Sequence, residues 1–296
     1  MSPTGASRMF VNGAARSTAH RRRCRIRPLI IAILGVVCAT AFAADTPSPA
    51  PSPEELRGIS ARGRQLAAYD QAAWHGTDAV KALSPNDALV KNYIARPDAD
   101  GKWSVAFGHR TPADDAFEID YEATQTTGPA DFVGRALTPP RADTDYFLRA
   151  ARALDLVRAE FKPPYERPYV IAVLPAAAEG WYVYAYPAVV RLGVWPLGGD
   201  TRYTVSADGR SIVATRTLHK TIIEPPPAAG GKPVMGFHVH VLTDRPEDTD
   251  VMNVLQRQPP MTELIATHPW MYEISPSGGV VLLGRTEELL RDHRKP

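Results

Sequence analysis

What the chain has little of narrows it first. It contains two cysteines, Cys24 and Cys38, both within the first 44 residues. Beyond Ala44 there is no thiol, which rules out a disulfide, a cysteine nucleophile or a thiolate metal ligand there. The same 44 residues hold no acid but seven arginines. Taking those seven from the chain's 34 basic residues leaves 27 against 32 acids, a net charge of about −5. That part has no basic excess to attract nucleic acid. Also missing are a Gly-x-Ser-x-Gly elbow, Ser-x-x-Lys, a P-loop, the dinucleotide glycine fingerprint and a His-Glu-x-x-His helix. The common hydrolase and nucleotide-binding plans therefore have no support. The longest mostly apolar stretch, Leu29 to Ala44, is 16 residues, where a membrane span needs about 20.

What is present begins with a leader. Arginines, the apolar run Leu29 to Val37 and the small residues around Ala43 are the three parts of a secretory signal peptide. The expectation is cleavage near Ala43 or Ala44 and a secreted or periplasmic product with no integral span. Met9 offers a second start. A retained signal anchor and a lipid on Cys38 are the rival readings, and Val37 stands where a lipid signal wants a small residue. Thr46 to Pro53 alternates proline with small residues, so 45–53 reads as an extended linker. The rest, 54–296, reads as one α+β domain, a largely antiparallel sheet packed by a few helices, with a helical start over 54–95 and a sheet-rich part over 165–285.

Within that domain, Leu56, Ile59, Leu66 and Ala73 share a helical stripe that Gly76 is placed to end. Ser84-Pro85-Asn86-Asp87 predicts a second, short helix toward Ala95. Trp103 to Gly108 and Phe117 to Thr124 alternate as a hairpin, with Glu118, Asp120 and Glu122 on a solvated face. Gly128 to Arg141 reads as a loop. Phe147, Ala150, Leu154, Val157 and Phe161 mark the clearest helix, capped by Asp143 or Thr144 and stopped by Pro163. Tyr169 to Leu174 and Trp181 to Tyr186 are apolar on both faces, as central strands are. Asp208-Gly209 predicts a hairpin turn. Leu218 to Ile223, Met235 to Leu242, Leu264 to Ala266, Tyr272 to Ile274 and Val280 to Leu283 read as further strands, with a short helix near Val251.

The chemistry concentrates in Phe237-His238-Val239-His240-Val241. On a strand the two histidines share one face, roughly 7 Å apart at Cα, and can lean onto one metal ion, zinc most simply. Asp248 and Asp250 after the strand, His219 and Glu224 before it, and His268 beyond it are candidate further ligands or bases. Helix capping explains the two aspartates equally well, and a solvent-facing strand the histidines. The order His238-x-His240, a loop, then Asp250 opening a helix resembles the core of the JAMM (MPN-domain) metalloproteases, over His238 to Leu283. That resemblance implies zinc held by His238, His240 and Asp250, with an upstream glutamate, here Glu224, moving the proton of a bound water. Val241 departs from the family's proline, Glu247 from its serine, and the loop to Asp250 is one residue short. The function so implied is a metal-dependent amide hydrolase. The alternative is a noncatalytic envelope or secreted protein binding a ligand or partner through Tyr182, Tyr184 and Tyr186, whose bland reading is core packing.

Overall fold

The computed structural model describes residues 48–176, 180–191, 193–224 and 235–292. The signal-peptide reading lies outside them. Its elements are α1 (Pro53–Lys81), β1 (Asn92–Pro97), β2 (Trp103–Arg110), β3 (Phe117–Gln125), β4 (Phe132–Asp143), α2 (Tyr146–Glu160), β5 (Tyr169–Pro175), β6 (Trp181–Pro187), β7 (Leu197–Gly198), β8 (Thr201–Val205), β9 (Ile212–Thr217), β10 (Ile222–Ile223), β11 (Met235–Val239), α3 (Asp248–Gln256), β12 (Thr262–Ala266), β13 (Trp270–Ile274), β14 (Val280–Arg285) and α4 (Thr286–Asp292). The class is α+β. In place of one sheet, the described residues form three of four strands, β1-β2-β3-β4, β5-β6-β8-β9 and β11-β12-β13-β14, plus a β7/β10 ribbon. All pairs are antiparallel except β11 with β12. No helix among the described residues is long and apolar enough to cross a membrane.

Helix α1 is the spine shared by two cores. Leu66, Tyr69, Ala72, Ala73 and Val80 enter the larger one with α2 and the first two sheets. Leu56 and Ile59 join Val251, Val254, Ile265, Tyr272 and Ile274 in the smaller one, under the histidine strand's sheet. Gly76 does not end α1, which runs on to Lys81. A Cβ there would lie 2.7 Å from Val105 Cγ2, so the glycine lets helix and sheet approach rather than stopping the helix. Gly63 does the same against α3, where a Cβ would meet the Asp248 carbonyl at 2.6 Å. That crossing fixes where α3 begins.

Several other expectations change. The linker is not free over its described part: Ser52 caps α1 through Glu55 N at 3.1 Å, Pro51 is buried, and the Ser48 carbonyl accepts from the Trp270 indole at 3.2 Å. The helix expected after Ser84 is a turn followed by β1, because Tyr93 and Ile94 pair with β2. The loop at 128–141 is mostly β4, and its Arg135 and Arg141 cover Glu122, so the acidic row is solvated only at Glu118. Strand β5 is an edge strand and β6 an inner one. Of the strand expected over Leu218 to Ile223 only β10 forms, which leaves Leu218 and His219 in a connection. Helix α2 is where the spacing placed it, with Asp143 Oδ1 accepting from Phe147 N at 2.8 Å. The Asp208-Gly209 turn joins β8 to β9.

Candidate metal centre

Along β11 and the residue that follows it, the apolar side chains face outward and the histidines inward. Phe237 and Val239 are each 56 % exposed, whereas His238 and His240 are 5 % and 7 % exposed. The rings do not form a solvent face. The connection after β9 brings a third imidazole to them, its backbone anchored where Leu218 N donates to the Asp200 carbonyl at 3.0 Å. The first turn of α3 adds Asp250, at the end of the helix that favours negative charge. Its Oδ2 accepts from Glu247 N at 2.6 Å, so it also caps the helix.

The four side chains converge. His240 Nε2 lies 3.0 Å from His219 Nε2 and 3.1 Å from His238 Nε2. Asp250 Oδ1 is 3.1 Å from His219 Nε2 and 3.3 Å from His238 Nε2, and Oδ2 is 3.2 Å from His240 Nε2. Ligand atoms roughly 2.0–2.1 Å from one ion, at angles of about 90–110°, are separated by about 2.9–3.4 Å. His219, His238, His240 and Asp250 could therefore hold a metal ion. The orphaned atoms agree. Asp250 Oδ1 is buried beside two ring nitrogens yet has no hydrogen bond, because the nitrogens are not aligned on it. They converge on a common point instead, which suits a cation better than an N–H···O bond.

The other ring nitrogens are all engaged. His219 Nδ1 meets Asp200 Oδ1 at 2.8 Å and His238 Nδ1 meets Glu263 Oε1 at 2.7 Å. His240 Nδ1 meets the Arg245 carbonyl at 2.8 Å. Such acceptors fix the tautomer that carries its proton on Nδ1 and leaves Nε2 free to bind. Arg257 holds Glu263 in turn.

Charge is dense here. Burial lowers the His219 pKa, but Asp250 and Asp200 outweigh it and raise it to about 11. For His238, burial is likewise outweighed by the neighbouring carboxylates of Asp250 and Glu263, giving about 9. Burial works to raise Asp250, yet His240 and His219 hold it well below the usual carboxylate range. Glu247 goes the other way, burial pushing it to about 8 against the pull of Arg216.

Of the residues singled out in the sequence, His238, His240 and Asp250 meet, and His219 joins them. Asp248 does not, being taken up by Arg62 Nε at 3.0 Å, Arg202 Nη1 at 2.5 Å and Tyr184 Oη at 2.8 Å. Glu224, the expected proton carrier, lies against Arg167 at 2.8 Å, outside the group. His268 is exposed in a turn and also outside it. Tyr184 and Tyr186 are buried, as core packing requires, so the tyrosine row is not an open face. Asp200 and Glu263 were not foreseen. Neither has a local pattern, since each is brought to its ring by pairing between distant segments.

Fold and site together define an α+β domain with a buried three-histidine, one-aspartate group able to bind a metal ion. No known family model, curated protein or solved structure matches this chain.

Proposed function

We propose that the chain is an exported protein that binds one divalent metal ion, zinc, through His219, His238, His240 and Asp250. The observation carrying this reading is that three Nε2 atoms converge while each Nδ1 is held by an acceptor. Three imidazoles and one carboxylate suit zinc or a neighbouring transition ion, not calcium or magnesium, which want oxygen. Four protein ligands make a closed centre of the kind that supports a fold. The ion would tie the β9–β10 connection, β11 and α3 together in a domain that has no cysteine to do so. The test is elemental analysis with competition against a chromophoric chelator. One zinc per chain is expected, with at least about tenfold weaker binding in His219→Ala. Equally little metal in wild type and in the His238→Ala, His240→Ala double variant rejects the reading.

A metal-dependent amide hydrolase is the second reading, favoured by a cavity of about 30 Å³ bordered by all three histidines. That is room for about one water, whose pKa a bound zinc would lower toward 7. No acid is among the described residues lining that cavity, so they supply no proton carrier. The absorption spectrum of the cobalt-substituted protein separates the readings. Intense four-coordinate bands support the closed centre, and weaker five-coordinate bands that shift with added acetohydroxamate support the hydrolase.

A further inference from the structure

A second cavity, of about 390 Å³, opens between α1, the segment after β6, β7 and α3. Its size falls within the roughly 300–1,000 Å³ range of small-molecule sites. The walls are aromatic and apolar, with Trp74, Tyr186, Trp195, Val170, Leu197 and Met252 among them. The polar lining is one-sided: it includes two carboxylates, Asp70 and Asp200, and no described lysine, arginine or histidine.

Hydrogen-bond accounting sharpens this. Three of the donors on the wall are already committed. Tyr186 Oη and Gln256 Nε2 each donate to Asp70 at 2.6 Å, and Asn253 Nδ2 donates to the Pro196 carbonyl at 3.2 Å. Acceptors are left over. Asp200 is 2 % exposed and gives Oδ1 to His219, while its Oδ2 has no partner; the buried Thr249 hydroxyl, donor and acceptor alike, has none either. A buried carboxylate oxygen without a donor is costly, and a ligand that brings positive charge and N–H groups relieves it. Indole and phenol faces attract the same kind of group.

We infer that this cavity is a binding site for an organic amine, a protonated nitrogen carried on an apolar body. The inference rests on the cavity and holds whether or not the histidine group binds metal.

The probes are 2-phenylethylamine, 2-phenylethanol and phenylacetate, of similar size and differing charge. Each is titrated calorimetrically into the chain from Asp45 onward, zinc-loaded and metal-stripped, at about pH 7, where the amine is protonated and phenylacetate ionised. Saturable binding of the amine is expected, at least about tenfold tighter than the alcohol, with no binding of the acid. Trp74→Ala, at a half-exposed wall position, should weaken the amine at least about fivefold and leave the melting temperature unchanged. Asp70→Asn should narrow the preference of amine over alcohol. Equal affinity for amine and alcohol, no saturation by the amine up to ~10 mM, or an unaltered Kd in Trp74→Ala overturns the inference. Failure of zinc binding leaves each of these outcomes readable.

Discussion

Each imidazole of the histidine group has one nitrogen held by an acceptor and one facing its neighbours, which makes the site testable at single atoms. Glu263 touches no ion, yet it holds His238 Nδ1 and is itself held by Arg257. Glu263→Gln should cost about 10–100-fold in zinc affinity by chelator competition; an unchanged Kd removes its positioning role. Protons give a second handle. His219 and His238 are raised to about 11 and about 9, above the unfolded value near 6.5. A raised pKa contributes stability in full below about 6.5 and loses it as pH climbs through the folded values. The ion-free protein should therefore weaken from about pH 6.5 upward, until about pH 9 for His238 and about pH 11 for His219. Zinc must displace those protons, so its affinity should rise with pH over the same range. Loading near neutrality should release about two protons, measured by calorimetry in buffers of different ionisation enthalpy. No release means those rings are not ligands.

Among the elements, α3 couples local helix chemistry to the centre. Asp250 caps the helix and faces the rings with one carboxylate. Asp250→Asn keeps an acceptor for Glu247 N and should weaken zinc while sparing the helix. Asp250→Ala removes the cap as well, adding about 1 kcal/mol of destabilisation in the apo protein, by denaturant melts. In the sequence the aspartate read equally as cap or ligand, and the structure gives it the geometry of both. Helix α2 and the β2/β3 and β8/β9 hairpins were legible because their periodicity and turn residues act locally. Gly76 was misread because a glycine that ends a helix and one that admits a neighbouring strand look alike in sequence. Likewise β1 and β4 form where local turn chemistry pointed elsewhere, since sheet partners supply the ladder hydrogen bonds. His219 was one option among several because nothing near it in sequence reveals that it meets β11.

For the whole molecule, length pointed to a chain held by its core and the succession of helices and hairpin-joined strands to an α+β fold, and the structure has that fold. The proline-rich start was legible as extended but not as attached. Ser52 caps α1 and Ser48 is bonded to Trp270. A chain beginning at Glu54 should melt lower than one beginning at Asp45, by at least about 2–4 °C for each kcal/mol lost. Equal melting temperatures in calorimetry would show that the attachment adds nothing.

The outward turn of Phe237 and Val239 carries a further consequence. Sliding β11 by one residue along its parallel neighbour would swing both apolar groups inside and both imidazoles into water. Hydrophobicity alone favours that slip, by as much as about 1.5–3 kcal/mol per side chain. A structural zinc ion contributes about 10–16 kcal/mol, more than the sum of the two. The bound ion would thus act as an alignment pin, holding an edge strand in a frame that its own greasy residues oppose.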